Sequence, residues 1–313
     1  MSRKRDAESC DPPVPIQFSD TGRFTLDARK MVDAHTGPDG SRSCEYNFVN
    51  LFCWEHVYKY QWFVFEGRLI IYDGKNNCLF MPLGEPFAPE VLYAVSRHLM
   101  NVMELSPHIC LASPAYVEAY PDIHNFYTVT EDRDAAEYIY LAKSLMELKG
   151  NKLHKKRNLI SQFKRKYPGY RVTPINTARL VTVKSFARDL LLTREPVPAS
   201  LTEEFSAMEK AFGNWDVLGL EGLLLTVDDN VAAFSIFSRL NRETYNIHFE
   251  KSNIAFKGAA QVINQETAGF LADKALYINR EQDLGVPGLR QAKLSYAPHH
   301  LLTYSLLTLK SAG

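Results

Sequence analysis

The chain has 313 residues, more than most single hydrophobic cores hold, so two domains are expected. With 46% hydrophobic and 23% charged residues it is globular in composition, and its 36 basic and 36 acidic residues cancel, so only local patches could draw nucleic acid or anionic membrane. Five cysteines (Cys10, Cys44, Cys53, Cys78, Cys110) form no C-x-x-C pair or metal-ligand run, no apolar signal region opens the chain, and no uncharged apolar run reaches the roughly 18 residues that span a bilayer; a reduced, soluble, cytoplasmic protein without a bound metal is expected.

About the first 15 residues, with Pro12, Pro13 and Pro15, are expected to be disordered and then extended. His35 to Ser43 is rich in Gly, Asp and Ser and predicts a loop. The short apolar runs Trp62–Phe65, Leu69–Tyr72 and Cys78–Leu83 are parted by turns at Glu66-Gly67 and Asp73–Asn77, which predicts a three-stranded meander. Pro86 and Pro89 then announce a helix over Glu90–Leu105, with Leu92, Val95, Leu99 and Val102 at helical spacing. Ala135–Lys149 predicts a helix with Tyr138, Ala142, Leu145 and Leu148 on one face, stopped by Gly150-Asn151. Asn151–Tyr167 predicts another, carrying Leu153, Ile160, Phe163 and Tyr167 and ended by Pro168-Gly169.

The plan of meander then helix returns roughly 160 residues later. Strands are predicted at Leu223–Val227, Val231–Ser238 and Thr244–Glu250, followed by a helix from Lys257. The chain closes with strand Ala275–Asn279, helix Pro287–Tyr296 and strand His300–Leu309. The expectation is an α+β protein with two domains of one architecture, 1–150 and 171–313, each a mixed, mostly antiparallel sheet flanked by helices and joined by a basic helix over 151–170.

Three places carry candidate chemistry. At Lys257-Gly258-Ala259-Ala260 small residues open a helix, so an anionic group could approach the free N–H groups, with Lys257 adding charge; the other reading is close helix packing. In Ile278–Tyr296, Asn279, Glu281 and Asp283 end a strand, and Arg290 and Lys293 follow on one helical face. Glu281 or Asp283 would take a proton from an amine, and Arg290 or Lys293 would hold an anion; the other reading is a structural salt-bridge cluster. On the junction helix Lys152, Lys155, Lys156, Arg157, Lys164, Arg165 and Lys166 form a positive face that suits a phosphate-rich partner such as transfer RNA, or a merely solvated surface. His248 alternates with Ile247 and Phe249 and suits a cleft or a satisfied core position better than a metal. There is no G-x-S-x-G or P-loop motif.

The order strand, turn, strand, strand, Lys-Gly loop, helix, strand, helix, strand resembles the GNAT N-acyltransferase fold. Lys257-Gly258-Ala259-Ala260 matches only the centre of that family's phosphate loop, without its leading Arg or Gln. The stretches CEYNFVNLFCWEHVYKY (Cys44 to Tyr60), KLHKKRNLISQFKRKYP (Lys152 to Pro168), YNIHFEKSNIAFKGAAQVINQETA (Tyr245 to Ala268) and INREQDLGVPGLRQAKLSYAP (Ile278 to Pro298) resemble bacterial proteins grouped with the C-terminal domain of phosphatidylglycerol lysyltransferase, tandem GNAT domains like the FemABX aminoacyltransferases. The resemblance implies an acyl-type transferase that forms no covalent intermediate and holds no tight cofactor. Its cleft would be formed by Glu250, Lys257, Gly258 and Ala259 on one side and Asn279, Glu281, Asp283, Arg290, Lys293 and Tyr296 on the other. It implies an aminoacyl-tRNA donor, drawn by Lys155, Lys156, Arg157, Lys164 and Arg165, and a small-molecule or lipid-headgroup acceptor. Two other readings stand beside it: an acetyl-CoA-dependent N-acetyltransferase and a non-catalytic binding module.

Overall fold

The computed structural model describes residues 16–37, 42–103, 108–193 and 195–310; the predicted lead-in, Cys10 and part of the 35–43 loop lie outside them. In chain order the elements are β1 (Asp20–Gly22), α1 (Arg29–Thr36), α2 (Phe48–Tyr58), β2 (Gln61–Phe65), β3 (Arg68–Asp73), β4 (Cys78–Phe80), α3 (Pro89–Met103), β5 (His108–Ala112), α4 (Pro114–Ala119), α5 (Ile123–Phe126) and β6 (Tyr127–Leu141). There follow α6 (Ala142–Glu147), α7 (His154–Lys166), β7 (Arg171–Pro174), α8 (Leu180–Leu192), α9 (Ala199–Gly213), α10 (Trp215–Leu218), β8 (Glu221–Val227), β9 (Asn230–Arg239), β10 (Thr244–Ser252), α11 (Ala259–Leu271), β11 (Tyr277–Gln282), α12 (Pro287–Leu294) and β12 (His300–Leu309). Both meanders, α3, α7, α11, α12 and β12 fall where the apolar spacing places them.

The helix expected over 135–149 is corrected. Residues up to Leu141 form strand β6 and only Ala142–Glu147 is helical. Ala136 to Tyr140 are buried without interruption, so this strand shows no alternation. A strand covered on both faces loses its period of two, and the aromatic and branched run Tyr138-Ile139-Tyr140 suits a pleated surface better than a helix. His35 and Thr36, expected in a loop, close α1.

The chain divides into two compact units. One comprises 1–23, 60–131 and 304–313; the other 24–59 and 132–303. In the first, β1 to β4 are antiparallel neighbours, β5 adds parallel to β4, and β12 closes antiparallel on β5. Phe63, Ile70, Leu92, Leu99, Ile109 and Leu307 lie in its core. In the second, β7 to β10 are antiparallel neighbours, β11 adds parallel to β10, and the end of β6 closes antiparallel on β11. The same plan thus occurs twice. This division differs from the expected one at 150–170. The strand closing the first sheet comes from the chain's end, and residues 132–141 close the second. The expected junction helix α7 packs inside the second core, where Ile160 and Phe163 join Val262, Ile263 and Tyr245. The four described cysteines are free thiols. No helix of the described residues is long and apolar enough to cross a membrane.

Candidate active site

All the site geometry lies in the second unit, where the parallel strands β10 and β11 part. They pair at Thr244 with Tyr277, Tyr245 with Ile278 and Asn246 with Asn279; β10 then runs on to Ser252 without β11. The register of β11 against β6 slips between Asn279 and Gln282, and Glu281 sits there at φ 58. A bulge with a residue held in the left-handed region re-aims side chains and occurs beside active sites. Alternation along β11 sends Asn279 and Glu281 toward α2 and Arg280 toward α11, while a register slip in β10 between Ile247 and Phe249 lets Asn246 reach Glu281 on the α2 side and Glu250 reach Arg280 on the other.

On the α2 face, Glu281 Oε1 accepts from Asn50 Nδ2 at 2.9 Å and Asn246 Nδ2 at 2.7 Å. Its Oε2 has no hydrogen bond among the described residues, and a quarter of the side chain stays open. Burial pushes its carboxyl up to about 7, against the pull of both amides and the Lys293 charge. His248 joins the same network. Nδ1 donates to Asn50 Oδ1 at 2.7 Å and Nε2 accepts from Ser238 Oγ at 2.8 Å. Burial pushes its pKa down to about 3, so the ring is neutral and both nitrogens are engaged. Beneath it Glu137, fully buried, accepts from Ser43 Oγ at 2.6 Å, from the Cys44 N–H at 2.9 Å and from Asn279 Nδ2. Asn279 Oδ1 in turn accepts the Glu281 N–H at 2.8 Å, fixing the bulge.

Asp283 has a different environment. It is fully buried and receives Arg290 Nε at 2.9 Å, Arg290 Nη2 at 2.7 Å, Arg133 Nη1 at 3.2 Å, the Tyr138 hydroxyl and the Gly285 N–H. Burial raises its pKa, but the Arg290 and Tyr138 hydrogen bonds outweigh this and hold it well below the usual carboxylate range. Arg290 also reaches Asp134, so Nε and Nη2 are both engaged by carboxylates of the protein while about a third of the side chain stays exposed. Lys293 is buried and donates to the carbonyls of Arg280 and Gln282, on either side of Glu281. Burial lowers its pKa, partly offset by Glu281. Arg290 and Lys293, expected to grip a ligand anion, instead clamp the strand end.

On the α11 face, Arg280 Nη2 pairs with Glu250 Oε1 at 2.8 Å. The guanidinium lies 5.2 Å from the Tyr296 ring centroid and 5.9 Å from that of Tyr140; Lys156 Nζ lies 4.1 Å from that of Tyr296. The first turn of α11 reaches the same place through Gln261, which hydrogen-bonds Tyr296. Gly258 caps that turn at φ 98, and an added Cβ would lie 2.7 Å from the Leu159 carbonyl of α7. Gly258 and Ala259 are buried and Lys257 is exposed, so the small residues serve helix packing against α7. Of the basic α7 side chains, Arg157 holds the Leu148 and Gly150 carbonyls, Lys164 pairs with Glu266 and Lys156 lies on Tyr296; Lys155 and Arg165 are exposed.

Asn50, Glu137, Asn246 and Arg280 belong to the site and were not among the expected residues. Asn50 and Glu137 are each a lone polar residue in an apolar run, FVNLFC and AEYIY, and that was the available signal; Asn246 and Arg280, in YNIHF and YINRE, have polar neighbours and carried none.

Four antiparallel strands, a crossover helix and a splayed parallel strand define a GNAT-type acyltransferase fold. An acetyltransferase of the GNAT family from Colwellia psychrerythraea superposes with a TM-score of 0.54 at 11% identity, over 95% of this chain and 100% of that one. Residues 40–307 match the family model for phosphatidylglycerol lysyltransferase, C-terminal, and the chain belongs to that family. A conserved protein of unknown function from Bacteroides thetaiotaomicron superposes with a TM-score of 0.84 at 31% identity, over 94% of this chain and 100% of that one. L-PGS from Bacillus licheniformis superposes with a TM-score of 0.60 at 14% identity, over 91% of this chain and 92% of that one. No curated protein matches the chain. Family and fold support a transferase of acyl or aminoacyl groups.

Proposed function

We propose that this chain is an aminoacyltransferase that moves the aminoacyl group of a charged transfer RNA directly onto an amine or hydroxyl acceptor, a small molecule or a lipid headgroup. Glu281 carries the reading: one carboxylate oxygen is fixed by two amides, the other is open, and the group titrates near neutrality, where a general base works best. The acceptor's oxygen or nitrogen attacks the ester carbonyl as its proton passes to Glu281 Oε2. The tetrahedral intermediate then expels the ribose oxygen of the transfer RNA, which takes that proton. Asp283, saturated by Arg290, Arg133 and Tyr138, supports the bulge that aims Glu281. The exposed Lys155 and Arg165 favour a polyanionic donor, and the close contact of α7 with Gly258 weighs against a pyrophosphate resting there.

The test offers purified protein transfer RNA charged with radiolabelled lysine, with phosphatidylglycerol vesicles or free amines as acceptors. Label is expected in an acceptor, and Glu281→Gln should slow its appearance about 100- to 10,000-fold. Acetyl transfer from acetyl-CoA with no aminoacyl transfer, or an unimpaired Glu281→Gln variant, would overturn the proposal.

A further inference from the structure

β10 pairs Ile247 with Phe237 and Phe249 with Ile236, so His248 stands at the slip without a register partner on β9. A bulge of this kind re-aims the side chain of its extra residue. His248 is buried, and its ring lies between Ser238 and Asn50. The neighbours place its hydrogen. The ionised Glu281 Oε1 and the Cys44 carbonyl lie 2.9 and 3.1 Å from one amide atom of Asn50, and both only accept, so that atom is Nδ2. Asn50 Oδ1 then faces His248 Nδ1 at 2.7 Å, and Nδ1 must carry the ring hydrogen. Nε2 is left bare and accepts from Ser238 Oγ at 2.8 Å. Asn246 Nδ2, 3.1 Å from Nδ1, donates to Glu281 instead. Every donor in the row Ser238, His248, Asn50 therefore points toward one carboxylate oxygen.

Burial keeps the imidazole neutral, so the ring supplies direction without charge. Without its N–H, Asn50 Oδ1 would lack this donor, and the amide would turn or swing away from Glu281. We infer that His248 is a positioning residue for the general base: it locks the Asn50 amide so that Nδ2 stays on Glu281 Oε1, leaving Oε2 to receive the acceptor's proton. The role in transfer rests on the proposed function; the direction of the hydrogen bonds does not. The other titratable groups around Glu281 are Lys293 of α12, Glu137 of β6 and, ahead of α2, the Cys44 thiol, which burial keeps protonated. Substituting His248 leaves all three in place, so a change at Glu281 reads the link through Asn50.

Leucine and asparagine are nearly equal in size, and only asparagine has an N–H to offer Asn50. The carboxyl titration of Glu281, followed by carbon NMR and assigned by its loss in Glu281→Gln, needs no turnover. His248→Leu should move the midpoint up by about one pH unit, whereas His248→Asn should hold it near the parent's. A ring that only fills space would give both variants the same midpoint, and that result overturns the inference. In transfer assays His248→Leu should lower kcat roughly five- to tenfold at or below about pH 7 and little at about pH 9, with KM unchanged. Adding His248→Leu to Asn50→Leu should move the midpoint no further than Asn50→Leu alone, because His248 acts through Asn50; additive shifts overturn the inference. If the leucine variants do not fold, nitrogen NMR of the parent ring decides: a protonated Nδ1 beside a bare Nε2 supports the lock, and a protonated Nε2 overturns it. A moved midpoint without transfer from any aminoacyl-tRNA sinks the function and spares the lock; transfer with an unmoved midpoint in His248→Leu does the reverse.

Discussion

Glu281 differs from Asp283, two residues away, in what surrounds it. Asp283 is ringed by cationic and hydroxyl donors and stays ionised, whereas Glu281 receives two neutral amides in a buried setting and titrates near 7. Transfer should therefore rise with pH through about 7, as Glu281 loses its proton, and kcat–pH profiles measure this. Stability runs the other way. The folded-state pKa lies above the ordinary value of 4.5, so the stabilisation present below about 4.5 is lost as pH rises through about 7. The melting temperature of Glu281→Gln relative to the parent should accordingly increase between about pH 5 and about pH 8. Replacing Lys293 by Met removes a positive charge that favours ionised Glu281 and should move the midpoint of the activity profile upward. The sequence already named Glu281 and Asp283 but left them equal, because their difference lies in Asn50, Asn246 and Arg133, which come from α2, β10 and β6.

At the scale of elements, α11 shows a glycine that serves packing. Gly258→Ala places a methyl against the Leu159 carbonyl in a left-handed backbone and should cost about 2 kcal/mol in chemical denaturation. Phe163→Ala, which empties the facing core position of α7, should cost about 3–5 kcal/mol by the same measurement. α11 was legible because its apolar stripe repeats at helical spacing. β6 was not: its C-terminal part, Ala136 to Tyr140, is buried on both faces, and helical spacing after Ala142 extended the pattern backward into the strand. The pairing of Arg157, Lys156 and Lys164 within the protein was likewise out of reach, since a cation run has the same composition whether its charges meet solvent or carbonyls.

At the scale of the whole molecule, equal numbers of basic and acidic residues leave α7 as the local source of attraction for a nucleic acid. A Lys155→Glu, Arg165→Glu double variant should weaken transfer RNA binding by about tenfold or more and flatten its salt dependence, with thermal stability nearly unchanged, as filter binding across a salt series would show. The sequence by itself determined the two meanders, the helices that follow them and the repeat of one plan, because periods of 2 and 3.6 and turn residues are local properties of the chain. Only the tertiary structure decided which strand closes which sheet, that α2 sends Asn50 to Glu281, and that Arg290 and Lys293 find their partners within the protein. Those contacts join residues up to 231 positions apart, and desolvation together with long-range pairing fixes them, neither of which leaves a local trace in the amino-acid pattern.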